Sequence, residues 1–283
     1  MTPQTGKKMK FMPYRYGIII TILFFSLLPK ARANEVTVVF KNDLNYKGTD
    51  DTFIKRGAGF SGGMSNFGAC KMMQVNEETR IGLMRFDVSS LFKKYKKIVS
   101  IKLKLFSKNA PKQGSIQVHR LNIANSAWRE GGNCGGTVIG GNRNEVTWMH
   151  LVDYGGFPSP PPSWASRTAG PTSPGVDFDE KALGSKKNSE SKINEAFEIE
   201  FSGDLSALID DWSLASPIKE LKDKGGNPCW TVDWNWSQPA AETANEGILL
   251  RGSEGSIHEF HTSESENLSL RPQLIIKYLP RLK

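Results

Sequence analysis

Residues 78–91 read ETRIGLMRFDVSSL, and the reading of this stretch decides the fold. Met84, Phe86 and Val88 alternate with Arg85 and Asp87, the period-2 pattern of a strand with one buried face. Ser89, Ser90 and Leu91 then read as a polar turn before the lysine-rich KKYKK at 93–97, which is expected to be a solvated loop. A second half-buried strand follows in IVSIKLKLFSK. Ile101, Leu103 and Leu105 take one face and Lys102 and Lys104 the other.

Working outward, the same alternation recurs. VTVVF at 36–40, SIQVHRLN at 115–122, and Phe197, Ile199 and Phe201 all read as strands. So do GILLRG at 247–252, IHEFHTSE at 257–264, and PQLIIKYL at 272–279, with Leu274, Ile276 and Tyr278 as the inward row. One helix stands apart, with Asp204 as its cap and Leu205, Leu208, Ile209 and Trp212 spaced to pack on a sheet. Many short strands, 27 Gly and 15 Pro point to an all-β chain: a two-sheet, jelly-roll-like β-sandwich with one short helix and long loops. The longest irregular stretch is 153–192, where prolines at 158, 160, 161, 162, 171 and 174 exclude a central strand. It is expected to be a surface loop or a disordered segment, carrying Trp164 as an exposed aromatic.

Several short motifs stand in a fixed order: Asp51-Thr52-x-Ile54, Asn66-Phe67-Gly68, Arg85-Phe86-Asp87 with its Ser-Ser-Leu tail, and Thr147-Trp148. Asp211-Trp212, Gly247-Ile-Leu-Leu, Phe260 with Ser263 and Glu264 at a shifted spacing, and the closing Arg271-Pro272-Gln-Leu follow. Together they resemble the DNRLRE-type domains, also described as carbohydrate-binding module family 96. The resemblance implies a β-sandwich that binds carbohydrate without catalysis, with Trp128 and Trp148 as structural residues.

The first 33 residues read as a secretory signal peptide. Lys7, Lys8, Lys10 and Arg15 precede the twelve-residue apolar run GIIITILFFSLL at 17–28, and Ala31-Arg32-Ala33 is a small-residue cleavage site. Twelve helical residues span about 18 Å, well short of a hydrocarbon core of roughly 30 Å. Residues 34–283 are therefore expected to be one exported, extracellular domain with no stable membrane insertion after cleavage. The full chain has 37 basic and 29 acidic residues, but the leader holds six of the basic ones and none of the acidic ones. A mature chain of 31 against 29 lacks the basic footprint of a nucleic-acid binder. Oligomeric state is not legible.

Three cysteines in an exported chain allow one internal disulfide. Cys134 in GGNCGG and Cys229 in GGNPCW both lie in Gly-Asn loops and are the expected pair, with Cys70 as a buried thiol. The segment CWTVDWNW at 229–236 is the richest in binding chemistry. If it is extended, Trp234 and Trp236 share a face and Asp233 and Asn235 take the other, which offers stacking surface and hydrogen bonds to a glycan, with Trp164 as a further carbohydrate-binding candidate. The competing reading is a loop core in which these rings are buried. Asp50 and Asp51 are candidates for a structural calcium, against a plain solvated turn.

No catalytic constellation is visible: no Gly-x-Ser-x-Gly, no HExxH and no phosphate loop. Three readings remain. The first is a secreted polysaccharide-binding module, the second an extracellular structural domain without sugar affinity, and the third a polysaccharide-degrading enzyme with remote paired carboxylates.

Overall fold

The alternating stretches fold as strands. The computed structural model describes residues 34–57, 63, 65–109, 111, 113–126, 128–137, 145–149, 164–188, 192–214, 245–253 and 256–281. All but Asn34 belong to the unit Glu35–Lys283. Its strands are β1 Val36–Phe40, β2 Thr49–Lys55, β3 Ser65–Asn66, β4 Met72–Val75, β5 Arg80–Phe86, β6 Tyr95–Phe106 and β7 Ser115–Arg120. They continue with β8 Gly136–Thr137, β9 Gly184–Lys187, β10 Ala196–Glu200, β11 Ile248–Gly252, β12 His258–His261 and β13 Gln273–Pro280, with a helix at Leu205–Leu214.

Two antiparallel sheets carry the architecture, ordered β1-β13-β6-β10 and β2-β5-β11-β7-β9. The pairs β12-β4 and β3-β8 form two small ribbons beside them. The main core lies between the large sheets. Ile101, Leu103, Leu105, Leu274 and Ile276 from the first sheet share it with Phe53, Met84, Phe86, Val118 and Leu250 from the second. Each such side chain, fully buried, contributes on the order of 1.5–3 kcal/mol. The chain is thus an all-β sandwich with one short helix, as its alternation predicts.

The helix begins where Asp204 Oδ1 accepts the Ala207 N–H at 3.0 Å, and it buries Leu208, Ile209 and Trp212. Glycine matters at position 247, where φ is +80° and a Cβ would lie 2.5 Å from the Met84 carbonyl oxygen. Only a bare Cα lets β11 start that close to β5.

Four expectations are corrected. First, β5 feeds two cores rather than one. Ile81 and Leu83 join Ile54, Leu121, Trp128, Val146, Trp148, Trp164, Phe178 and Leu249 in a second cluster on the outer face of the five-stranded sheet. Leu121, Trp128, Val146, Trp148, Trp164 and Phe178 cover that face, so β5 is apolar on both sides.

Second, residues 95–97 are not loop. Tyr95 opens β6, because its ring is buried and its hydroxyl donates to Asp210 Oδ1 at 2.6 Å, tying the strand to the helix. Third, the 153–192 stretch holds strand β9 and a buried Trp164. The Trp164 indole is 0% exposed and its N–H donates to the Trp148 carbonyl at 3.0 Å. A ring in that position closes a core and cannot stack on a sugar.

Fourth, Cys134 bonds to Cys70 and not to Cys229, which lies outside the described residues. The β3-β8 ribbon pairs Asn66 with Gly136, and the Ala69 N–H donates to the Asn133 carbonyl at 2.9 Å. This brings the two Cα atoms to 4.8 Å, inside the range a disulfide spans.

Candidate metal centre

Strand β2 is the edge of its sheet, so alternate backbone N–H groups along it face away from β5. The N–H of Asp51 is one of these, and it donates to Glu130 Oε1 at 2.9 Å. The Asp51 side chain points to the same face as Phe53, is 0% exposed, and accepts the Ser263 N–H on Oδ2 at 2.8 Å. Ser263 in turn donates its hydroxyl to Glu264 Oε1 at 2.7 Å. One carboxylate oxygen from each of Asp51, Glu130 and Glu264 thus comes within 4.8 Å of the others.

The loop that brings Glu130 is pinned at several points. Asn66 Nδ2 donates to the Glu130 carbonyl at 2.7 Å and to the Val146 carbonyl at 3.0 Å. Glu145 accepts from the Gly132 N–H at 2.8 Å and from Asn133 Nδ2 at 3.0 Å. A Cβ on Gly68 would lie 2.1 Å from the Glu130 carbonyl oxygen, so only glycine permits the approach. The turn after β12 is held too, since Thr262 donates its hydroxyl to the Cys70 carbonyl at 2.7 Å.

Like charges gathered out of water shift every member of the set. Burial, then the neighbouring Glu264, raises the Asp51 carboxyl well above its usual range, against the Ser263 donors. Glu130 is pushed up to about 10 by burial and then by Asp51 and Glu264. Glu264 is raised chiefly by burial. Among the described residues none of the three has a basic partner within ion-pair distance. Three such carboxyls hold protons, or they hold a hard cation.

Of the two calcium candidates, Asp51 belongs to this cluster and Asp50 does not. Asp50 Oδ2 accepts from Arg85 Nε at 3.0 Å and Nη2 at 2.6 Å. The same guanidinium lies 4.6 Å above the Trp128 ring and donates to the Ser126 and Trp128 carbonyls. Arg85 of the motif is therefore a scaffold residue that fastens the 126–128 segment to β5. Arg271 serves similarly, donating to the Ser265 and Asn42 carbonyls.

Glu130 and Glu264 are site residues that sequence reading missed as a pair with Asp51. They come from segments 79 and more than 200 residues away, and no local spacing connects them. The remaining candidates, Trp234, Trp236, Asp233 and Asn235, lie outside the described residues, as does Trp230. Elsewhere, a cleft of roughly 270 Å³ is lined by Arg56, Glu77, Glu78, Ile81, Pro171, Thr172 and Arg251. Among the described residues no helix is long and apolar enough to cross a membrane. The chain matches no family model and no curated protein.

Proposed function

We propose that the mature chain is a secreted, non-catalytic module that binds polysaccharide, with its ring platform at Trp234 and Trp236. The division of labour among the seven tryptophans carries this reading. Trp128, Trp148, Trp164 and Trp212 are each at most 4% exposed, and three of the four donate an indole N–H to a protein acceptor. Those four are committed to the scaffold. The other three stand within seven residues beside Asp233, Asn235 and Gln238, a composition that suits a sugar's C–H faces and hydroxyls. The DNRLRE-type resemblance supports the same class. Its motif residues Arg85, Trp212 and Arg271 all make scaffold contacts rather than a reactive constellation.

A second reading, an extracellular structural domain without sugar affinity, is favoured by the burial of Trp164. Electrophoresis of residues 34–283 through gels containing neutral or acidic polysaccharides separates the readings. Retardation by at least one polymer, without new reducing ends or unsaturated products, is expected. Unchanged mobility in every gel supports the structural domain, and product release supports an enzyme.

A further inference from the structure

We propose that Asp51, Glu130 and Glu264 form a divalent-cation site, sized for calcium, that staples three distant parts of the chain at one corner of the sandwich. Beyond the three acids themselves, Asp51 Oδ1 is buried with no hydrogen-bond partner among the described residues, and Glu264 Oε2 is buried and unpartnered as well. Orphaned carboxylate oxygens at such depth cost several kcal/mol unless something pairs them. A bound cation pairs both oxygens at once, whereas the chain's own donors already occupy the other oxygens of Asp51 and Glu264.

The ligand chemistry selects the ion. An all-carboxylate set is hard, which favours calcium, magnesium or manganese over zinc or copper. Ca–O bonds of about 2.3–2.6 Å bridge oxygens up to about 5 Å apart across one ion, whereas Mg–O bonds of about 2.0–2.1 Å reach only about 4.2 Å. The Asp51, Glu130 and Glu264 oxygens lie within 4.8 Å of one another, a spread nearer the calcium span than the magnesium one. Glu130 and Glu264 are only half-buried, which leaves a solvent path for entry and for water to fill the shell. A bound dication also turns three mutually repelling groups into an attractive cluster.

The mechanical consequence is specific. Glu130 rides on the loop tied by Cys134, and Glu264 follows the turn tied to Cys70. The ion and the disulfide therefore clamp the same loop from two sides.

The test uses residues 34–283 stripped with a chelator and titrated with calcium chloride by calorimetry, followed by thermal unfolding with and without calcium. One equivalent of calcium is expected to bind, and saturation to raise the melting temperature by several degrees, with magnesium much weaker. Asp51→Asn is expected to weaken calcium binding at least tenfold. Should that variant not fold, the half-exposed Glu264→Gln carries the same expectation. Absence of calcium binding to the wild-type chain overturns the proposal, and so does undiminished affinity in a folded variant.

Discussion

Glu246 shows how much of this fold rests on single polar side chains. It is fully buried, yet its Oε1 accepts both Arg120 Nε and, at 3.1 Å, the Trp212 indole N–H. Its carbonyl accepts the Trp128 indole at 2.9 Å, and Arg120 also reaches Asp211 at 2.9 Å. Burial raises the Glu246 carboxyl, and Arg120 acts against that rise. Glu246→Ala would leave the Trp212 indole without its acceptor and the Arg120 guanidinium with Asp211 alone. A loss of about 1–3 kcal/mol is expected in urea denaturation, by the usual cost of a buried donor left unsatisfied. Glu246→Gln, which keeps an acceptor, should lose clearly less.

His258 makes a pH prediction. Its ring is 2% exposed, Nε2 has no hydrogen-bond partner among the described residues, and burial lowers its pKa. The folded value therefore lies below the unfolded value of about 6.5. Between the two the unfolded chain binds more protons, so the stability this group contributes is present above pH 6.5 and lost as pH falls. His119, also buried with a lowered pKa, acts in the same direction. The raised carboxyls of Asp51, Glu130, Glu264 and Glu246 act the other way, so the histidine contribution is read as a difference. Between pH 7 and pH 5 the urea midpoint of the wild type should fall relative to that of His258→Phe. A variant as steep as the wild type would remove His258 from the account.

At the scale of elements, the loop 128–137 is held by more fastenings than its length suggests. It carries Trp128 into the outer core, Glu130 to β2, and Cys134 to the disulfide with Cys70 across a separation of 64 residues. Replacing both cysteines by serine should cost about 2–5 kcal/mol, by the loop-closure effect of such a cross-link. Calorimetry would show this as a lower melting temperature with the strand signal in far-UV circular dichroism retained. Loss of less than 1 kcal/mol would mean that the β3-β8 ribbon and the Asn66 contacts hold the loop unaided.

Strands with one wet face were legible in the sequence because their alternation is local: β1, β10 and β13 read directly, and Leu274, Ile276 and Tyr278 are buried as the pattern requires. The start of β6 was not, because Tyr95 sits between lysines and its reason for being in a strand is a hydrogen bond to Asp210 in the helix. Trp164 was misread for a similar reason. Proline-rich sequence signals irregular backbone, but irregular backbone can still lay a ring onto a sheet.

For the whole molecule, the sandwich followed from repeated alternation, whereas the second core on the outer face of the five-stranded sheet did not. Its members come from β2, β5, β11 and the 121–178 region, and only the fold brings them together. The same holds for Asp51 with Glu130 and Glu264, which assemble through a sheet edge and two turns.

The division of the tryptophans makes indole fluorescence the most direct measurement of the central claim. The rings at 128, 148, 164 and 212 are shielded and should stay constant, so a response on adding a bound polysaccharide must come from the 230–236 group. A saturable shift in emission is predicted, abolished by the Trp234→Ala, Trp236→Ala double substitution in a chain whose melting temperature is unchanged. Binding by gel retardation that survives the double substitution in the folded chain would contradict the proposed platform.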